Sequence, residues 1–161
     1  MNSIKSIMSL LEQVADPEIP VLTVLDMGII RDVKLSEDVL EICITPTYSG
    51  CPAMDMIAVD IRSVLQENGY DNVKITIVLN PPWTTEWMSE EGKNKLKKYG
   101  IAPPEGAIID KSTLFAEPKK IQCPQCESRN TLMLSQFGST ACKALYQCKD
   151  CKEPFDYFKC H

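Results

Sequence analysis

Four of the eight cysteines in this 161-residue chain fall into two Cys-x-x-Cys pairs, Cys123-Pro-Gln-Cys126 and Cys148-Lys-Asp-Cys151. Two residues between cysteines let one tight turn present both sulfurs on the same side. Two such turns, joined by a β-hairpin, close a tetrahedral cage of thiolates. Soft thiolate donors select zinc, or iron, over magnesium or calcium. The spacing therefore predicts a zinc ribbon over residues 121–161, with Cys123, Cys126, Cys148 and Cys151 holding a structural zinc. So small a module buries little apolar surface, and the metal must supply much of its folding free energy, on the order of 10 kcal/mol. Cys142 lies six residues before Cys148, a spacing that would let it approach the cage or replace one ligand, and Cys160-His161 close the chain. Either these extras are packed or redox-active beside a filled cage, or Cys142 and Cys160, with His161 as a further candidate, form a second, labile site for iron or a cluster. Four cysteines already complete a closed zinc site, and the extras form no close pair of their own, which favours the first arrangement.

A second chemical centre is suggested by Thr45-Pro46-Thr47-Tyr48-Ser49-Gly50-Cys51-Pro52. Proline suits the first turn of a helix, where its missing N–H costs nothing, so Pro52 places Cys51 at the N-cap. Unpaired N–H groups and the positive end of the helix dipole stabilise a thiolate there. Gly50 brings no side chain to shield the sulfur. The pattern describes an exposed, anionic cysteine suited to metal or cluster ligation, persulfide transfer or nucleophilic attack; a small packing residue fits the same spacing. Cys43, flanked by Ile42 and Ile44 in an alternating run, reads as a partly buried thiol. Asp16, Glu18 and Asp26 could line the same end of the domain as Cys51, although Asp16 also suits a turn and Asp26 a cap. Trp83 and Trp87 suggest either an anchored lid or partner-binding patch, or a core plug. His161 is the only histidine. With no phosphate-cradling glycine loop and no hydrolytic triad, the chain is expected to be no enzyme in its own right.

These residues need a scaffold, and periodicity supplies one. Ile4, Ile7, Met8, Leu11 and Val14 mark an apolar helical stripe within Met1–Ala15, ended by Asp16-Pro17. Val33 to Leu35 and the alternating Leu40, Ile42 and Ile44 predict two strands joined at Ser36-Glu37-Asp38. Ile57, Ala58, Ile61, Val64 and Leu65 predict a helix stopped by Asn68-Gly69. Val73, Ile75, Ile77 and Leu79 predict a third strand. A shorter, lysine-rich helix is expected over Glu90–Tyr99. The fold class is α+β: a small three-stranded sheet with helices on one face over residues 1–100, a linker over 101–120 rich in proline, and the ribbon.

Composition limits the setting. There is no stretch of membrane-span length, and the amino terminus reads as an amphipathic helix rather than a signal peptide, so a cytoplasmic protein with no membrane partner is expected. Cysteine pairs in a reducing compartment more often hold metal than form disulfides. Residues 1–118 carry 10 Lys/Arg against 18 Asp/Glu, and residues 119–161 carry 7 against 4. An acidic body argues against general nucleic-acid binding, and the lysines of the tail are too scattered to form a stripe.

Three runs then carry a resemblance. Asp16-Pro17-Glu18-Ile19-Pro20, Asp26-Met27-Gly28-Ile29 and Thr47 with Gly50-Cys51-Pro52 resemble the metal–sulfur cluster biosynthesis family, whose members include SufT. The tail runs Gly138–Tyr146 and Glu153–His161 narrow this to a resemblance to the PaaD family, accessory subunits encoded with the phenylacetyl-CoA epoxidase of aerobic phenylacetate catabolism. The resemblance covers nearly the whole chain. It implies a maturation factor for the iron–sulfur or iron centre of the epoxidase, with the iron–sulfur reductase as client and the general iron–sulfur assembly machinery as a further partner. It places the family's functional cysteine on Cys51, handling transient iron or a cluster. The alternative is a non-catalytic structural or docking subunit of the epoxidase complex, binding through Trp83 and Trp87.

Overall fold

Helix α1, Ile4–Leu11, begins where the Ser3 hydroxyl accepts the Ser6 N–H at 3.2 Å, and it buries Ile7 and Leu11. The computed structural model describes residues 3–105 and 119–159 and divides the chain into two compact units, Met1–Gly92 and Lys93–His161. The helix stops short of the predicted Ala15. Gln13 and Val14 donate to the carbonyls of Leu10 and Leu11, three residues back, and the chain then doubles on itself, with Val24 N–H donating to the Val14 carbonyl at 2.9 Å. Val14 is buried all the same. The apolar stripe continued past the helix because the loop packs where another turn would have packed.

Strand β1, Ile30–Leu35, runs antiparallel to β2, Leu40–Ile44, and β3, Val73–Ile77, lies parallel to β2 on its other side. A parallel neighbour needs a crossover connection, and helix α2, Ala53–Glu67, provides it. Leu40, Ile42 and Ile44 are buried on one face, whereas Glu41 and Cys43 are half-buried on the other. Ala53, Met54, Ile57, Ile61 and Leu65 form the buried stripe of α2. The helix ends as expected at Asn68, followed by Gly69 at φ +89°. The three-stranded sheet with helices on one face is the observed architecture.

After β3 the two tryptophans take different roles. Trp83 is 3% exposed and its indole N–H donates to the Met27 carbonyl at 2.7 Å, so it plugs the core and offers no docking surface. Trp87 is half-buried beneath the Arg31 guanidinium, 3.5 Å from the ring centroid. A register shift between Ile30 and Asp32 bulges Arg31 out of the ladder and aims it there. The Trp87 carbonyl occupies the place that a side chain on Gly28 would take: a Cβ there would lie 2.1 Å from that oxygen, and the φ of +68° already favours glycine.

Helix α3, Glu90–Tyr99, carries acidic residues in its first turn and lysines in its last, as the helix dipole prefers. Gly100 at φ +87° ends it. Ile101–Ala102, expected within the linker, instead form a buried edge strand, β4. With β5 (Thr131–Ser135), β6 (Lys143–Cys148) and β7 (Pro154–Phe158), it makes a sheet of order β4-β7-β6-β5. Two apolar residues after a helix-ending glycine were too few to show a period, yet they complete the edge of this sheet. Its core stacks Tyr146 on Phe155 at 5.8 Å, with Ile121, Ala102 and Ala144 beside them. No helix among the described residues is long and apolar enough to cross a membrane.

Candidate functional site

The two Cys-x-x-Cys turns meet. Cys123, Cys126, Cys148 and Cys151 form the only group among the described residues whose ligand atoms all lie within 4.8 Å of one another. The turns are built alike. The first cysteine of each donates its N–H five residues on, Cys123 to Ser128 at 2.8 Å and Cys148 to Glu153 at 3.0 Å. The residue after each second cysteine, Glu127 and Lys152, sits at φ 63° and 66°. The Cys123–Cys151 and Cys126–Cys148 sulfurs are 3.8 and 3.5 Å apart. A zinc ion with sulfurs at about 2.3 Å needs tetrahedral edges of about 3.8 Å, so the donor set fits zinc in number, type and spacing. The N–H groups of Cys151 and Asp150 hold the Cys148 thiol down to about 7. Cys151 accepts the Glu153 N–H, yet burial and its thiol neighbours push it up to about 12. Crowded sulfurs resist losing further protons until a cation arrives.

Cys142 is not part of this cage. It precedes β6 while Cys148 ends it, and six residues of strand span about 20 Å. The sequence spacing that allowed an approach is absorbed by an extended conformation. Cys142 is buried with its sulfur 3.0 Å from the Thr140 hydroxyl. Cys160 and His161, the other candidates for extra ligands, lie outside the described residues.

The Cys51 region differs from expectation in the position of the cap, the exposure of the sulfur and its ionisation. Pro52 is the N-cap of α2, and Cys51 stands just before it, half-buried. Its sulfur still takes the Ala53 N–H, as a capping side chain would, and the Tyr48 hydroxyl bonds it as well. Burial nevertheless raises the thiol above its ordinary value, and the carboxylates of Glu18 and Asp16 raise it further. The expected resting thiolate is therefore a thiol, because desolvation and two anions outweigh the helix terminus. Tyr48 went unassigned in the sequence; its signal was a phenol three residues upstream in the same loop.

Asp16 and Glu18 thus act on Cys51 by their charge, although no three-ligand group gathers around them among the described residues. Asp16 is also a turn residue, its Oδ1 accepting the N–H groups of Glu18 and Ile19, each at 2.8 Å. Asp26 has a structural task. It caps Thr23 N–H at 3.0 Å, receives the Ser89 hydroxyl at 3.1 Å, and so ties its loop to the start of α3. The Thr45 hydroxyl, at the root of the Cys51 loop, is 1% exposed and has no hydrogen-bond partner among the described residues.

Comparison with known proteins agrees with this division. Residues 4–77 match the family model of an iron–sulfur cluster assembly protein, and residues 108–159 that of the PaaD zinc beta ribbon domain. The chain is 46% identical, over 98% of its own length and 93% of the other, to an Escherichia coli K12 protein named as a subunit of a "Putative 1,2-phenylacetyl-CoA epoxidase". It is 37% identical to the Fe-S protein maturation auxiliary factor YitW of Bacillus subtilis, over 55% of this chain and 88% of that one. A crystal structure of a domain of unknown function, DUF59, from Bacillus anthracis superposes with TM-score 0.54 and 33% identity, over 57% of this chain and 89% of that one. The chain belongs to the PaaD family, in which an iron–sulfur cluster assembly domain is joined to a zinc β-ribbon.

Proposed function

We propose that this protein is a maturation factor for a phenylacetyl-CoA epoxidase, with Cys51 as the residue that receives, holds and hands on iron or an iron–sulfur cluster. The observation that carries the reading is the setting of the Cys51 sulfur. It is half-buried, bonded by Ala53 N–H and Tyr48, and faced by the charges of Glu18 and Asp16. At rest a protonated thiol is a poor nucleophile and resists oxidation. A cationic cargo is drawn by the two carboxylates; on binding, an iron–sulfur bond forms and the thiol proton leaves to solvent. On delivery a client thiolate replaces Cys51 at the iron, and Cys51 takes a proton back. No electron is exchanged in either step.

The client is the iron–sulfur reductase of the epoxidase, the general assembly machinery supplies the cargo, and the protein catalyses no step of the epoxidation. The zinc ribbon is a rigid, non-reactive docking module. In cells carrying Cys51→Ala, the reductase is expected to accumulate with depleted iron and sulfide, and epoxidase activity to fall. Iron and sulfide at wild-type levels in the purified reductase would overturn the proposal. Full epoxidase activity as well would favour the second reading, a structural subunit of the complex, which the relative's name supports.

A further inference from the structure

Helix α2 turns a second stripe away from the core. Met56, Val59, Asp60 and Ser63 recur at i, i+3, i+4 and i+7, so they share one face. Met56 and Val59 are 53% and 52% exposed. The far end of this stripe is one wall of a groove of about 350 Å³: Asp60, Ser63 and Val64 face Ala15, Pro17 and Pro20 of the loop that follows α1. Asp16 belongs to the same lining, and its charge reaches the Cys51 sulfur. Groove and thiol therefore have a residue in common. Met56 lies in the first turn of α2, five residues after Cys51, so the exposed stripe runs from the groove to the end of the helix that Cys51 precedes.

The chemistry of the walls selects an occupant. The two proline rings give an apolar surface with no N–H to offer. Two carboxylates lie in the lining, within a unit that carries 15 Asp/Glu against 5 Lys/Arg over residues 1–92. An anionic or purely apolar ligand would meet that field unfavourably, whereas a basic side chain on an aliphatic stem satisfies both walls. The volume suits a few side chains of an extended segment rather than a folded face.

We propose that this groove docks an extended segment of the client polypeptide, with a basic side chain against Asp60 and aliphatic side chains along Met56 and Val59. Docking there sets the client's own ligands beside Cys51. The purpose of the docking rests on the function proposed for Cys51, but the docking itself does not. The probe is a nine-residue peptide of alternating leucine and arginine, titrated into the full-length protein while backbone amide resonances are followed, with a leucine–glutamate peptide as control.

The arginine peptide is expected to shift the amides of Ala15, Asp16, Asp60 and Ser63, and the glutamate peptide to leave them in place. Asp60→Lys and Ser63→Trp, both surface changes on α2, are each expected to weaken binding at least about tenfold while the spectrum stays dispersed. Cys51→Ala is expected to bind as well as the parent, so failure of the groove and failure of the thiol are told apart. Shifts confined to acidic positions elsewhere, such as Glu37, Asp38 and Asp71, would overturn the proposal. So would undiminished binding by Ser63→Trp, since attraction to a generally acidic surface needs no open groove.

Discussion

At the residue scale, Cys51 shows what a sequence can and cannot disclose. Its place before a helix was legible from Gly50 and Pro52, because turn and helix-start chemistry are local. Its ionisation was not, because the opposing influences arrive from elsewhere: burial first, then Glu18 and Asp16 from a loop more than thirty residues earlier. The sign can be tested. With its pKa raised, Cys51 is mostly protonated at neutral pH, and its alkylation by iodoacetamide should rise with pH to a midpoint above the usual cysteine value of about 8.5. Glu18→Gln removes an anion that disfavours the thiolate. The midpoint should then fall, and the rate at pH 7.5 rise about two- to fivefold. A rate unchanged by Glu18→Gln would mean that the Glu18 charge does not reach this thiol, leaving burial and Asp16 to set it. Mass spectrometry of the Cys51 peptide reads the outcome.

At the element scale, α2, β2 and the end of α3 were legible because each combines a clear period with a local stop signal, Asn68-Gly69 and Gly100 among them. The end of α1 and the whole of β4 were not. Val14 is buried from a loop as well as it would be from a helix, and Ile101-Ala102 are paired only because β7 lies far ahead in the chain. The loop holding Gly28 offers a sharper test, since Gly28 and Gly50 both have positive φ but only one is crowded. Gly50→Ala meets open space and should cost only the backbone preference, about 1 kcal/mol. Gly28→Ala adds a collision with the Trp87 carbonyl and should cost about 2 kcal/mol or more. Urea unfolding of the two variants separates the terms; equal losses would show that the Trp87 contact yields freely.

At the scale of the whole molecule, the paired cysteines announced a ribbon, but not that α3 and β4 would join it ahead of the first pair. The two units differ in what holds them. The first buries a continuous apolar face of α1, α2 and the sheet, whereas the second closes around a cage of thiols that repel further ionisation until metal binds. Chelation of the metal is expected to abolish the amide protection of β5, β6 and β7 and to leave that of β2 and α2 intact, as hydrogen exchange would show. Loss of protection in both units would mean that they unfold as one. The placement of the indoles has a practical corollary. Both tryptophans precede residue 93, and Trp83 is sealed with its N–H bonded, whereas Tyr99, Tyr146 and Tyr157 follow that point. Emission excited at the red edge, where tyrosine is silent, should therefore report the assembly domain alone, giving a label-free optical channel in which the fate of the metal knuckle is invisible.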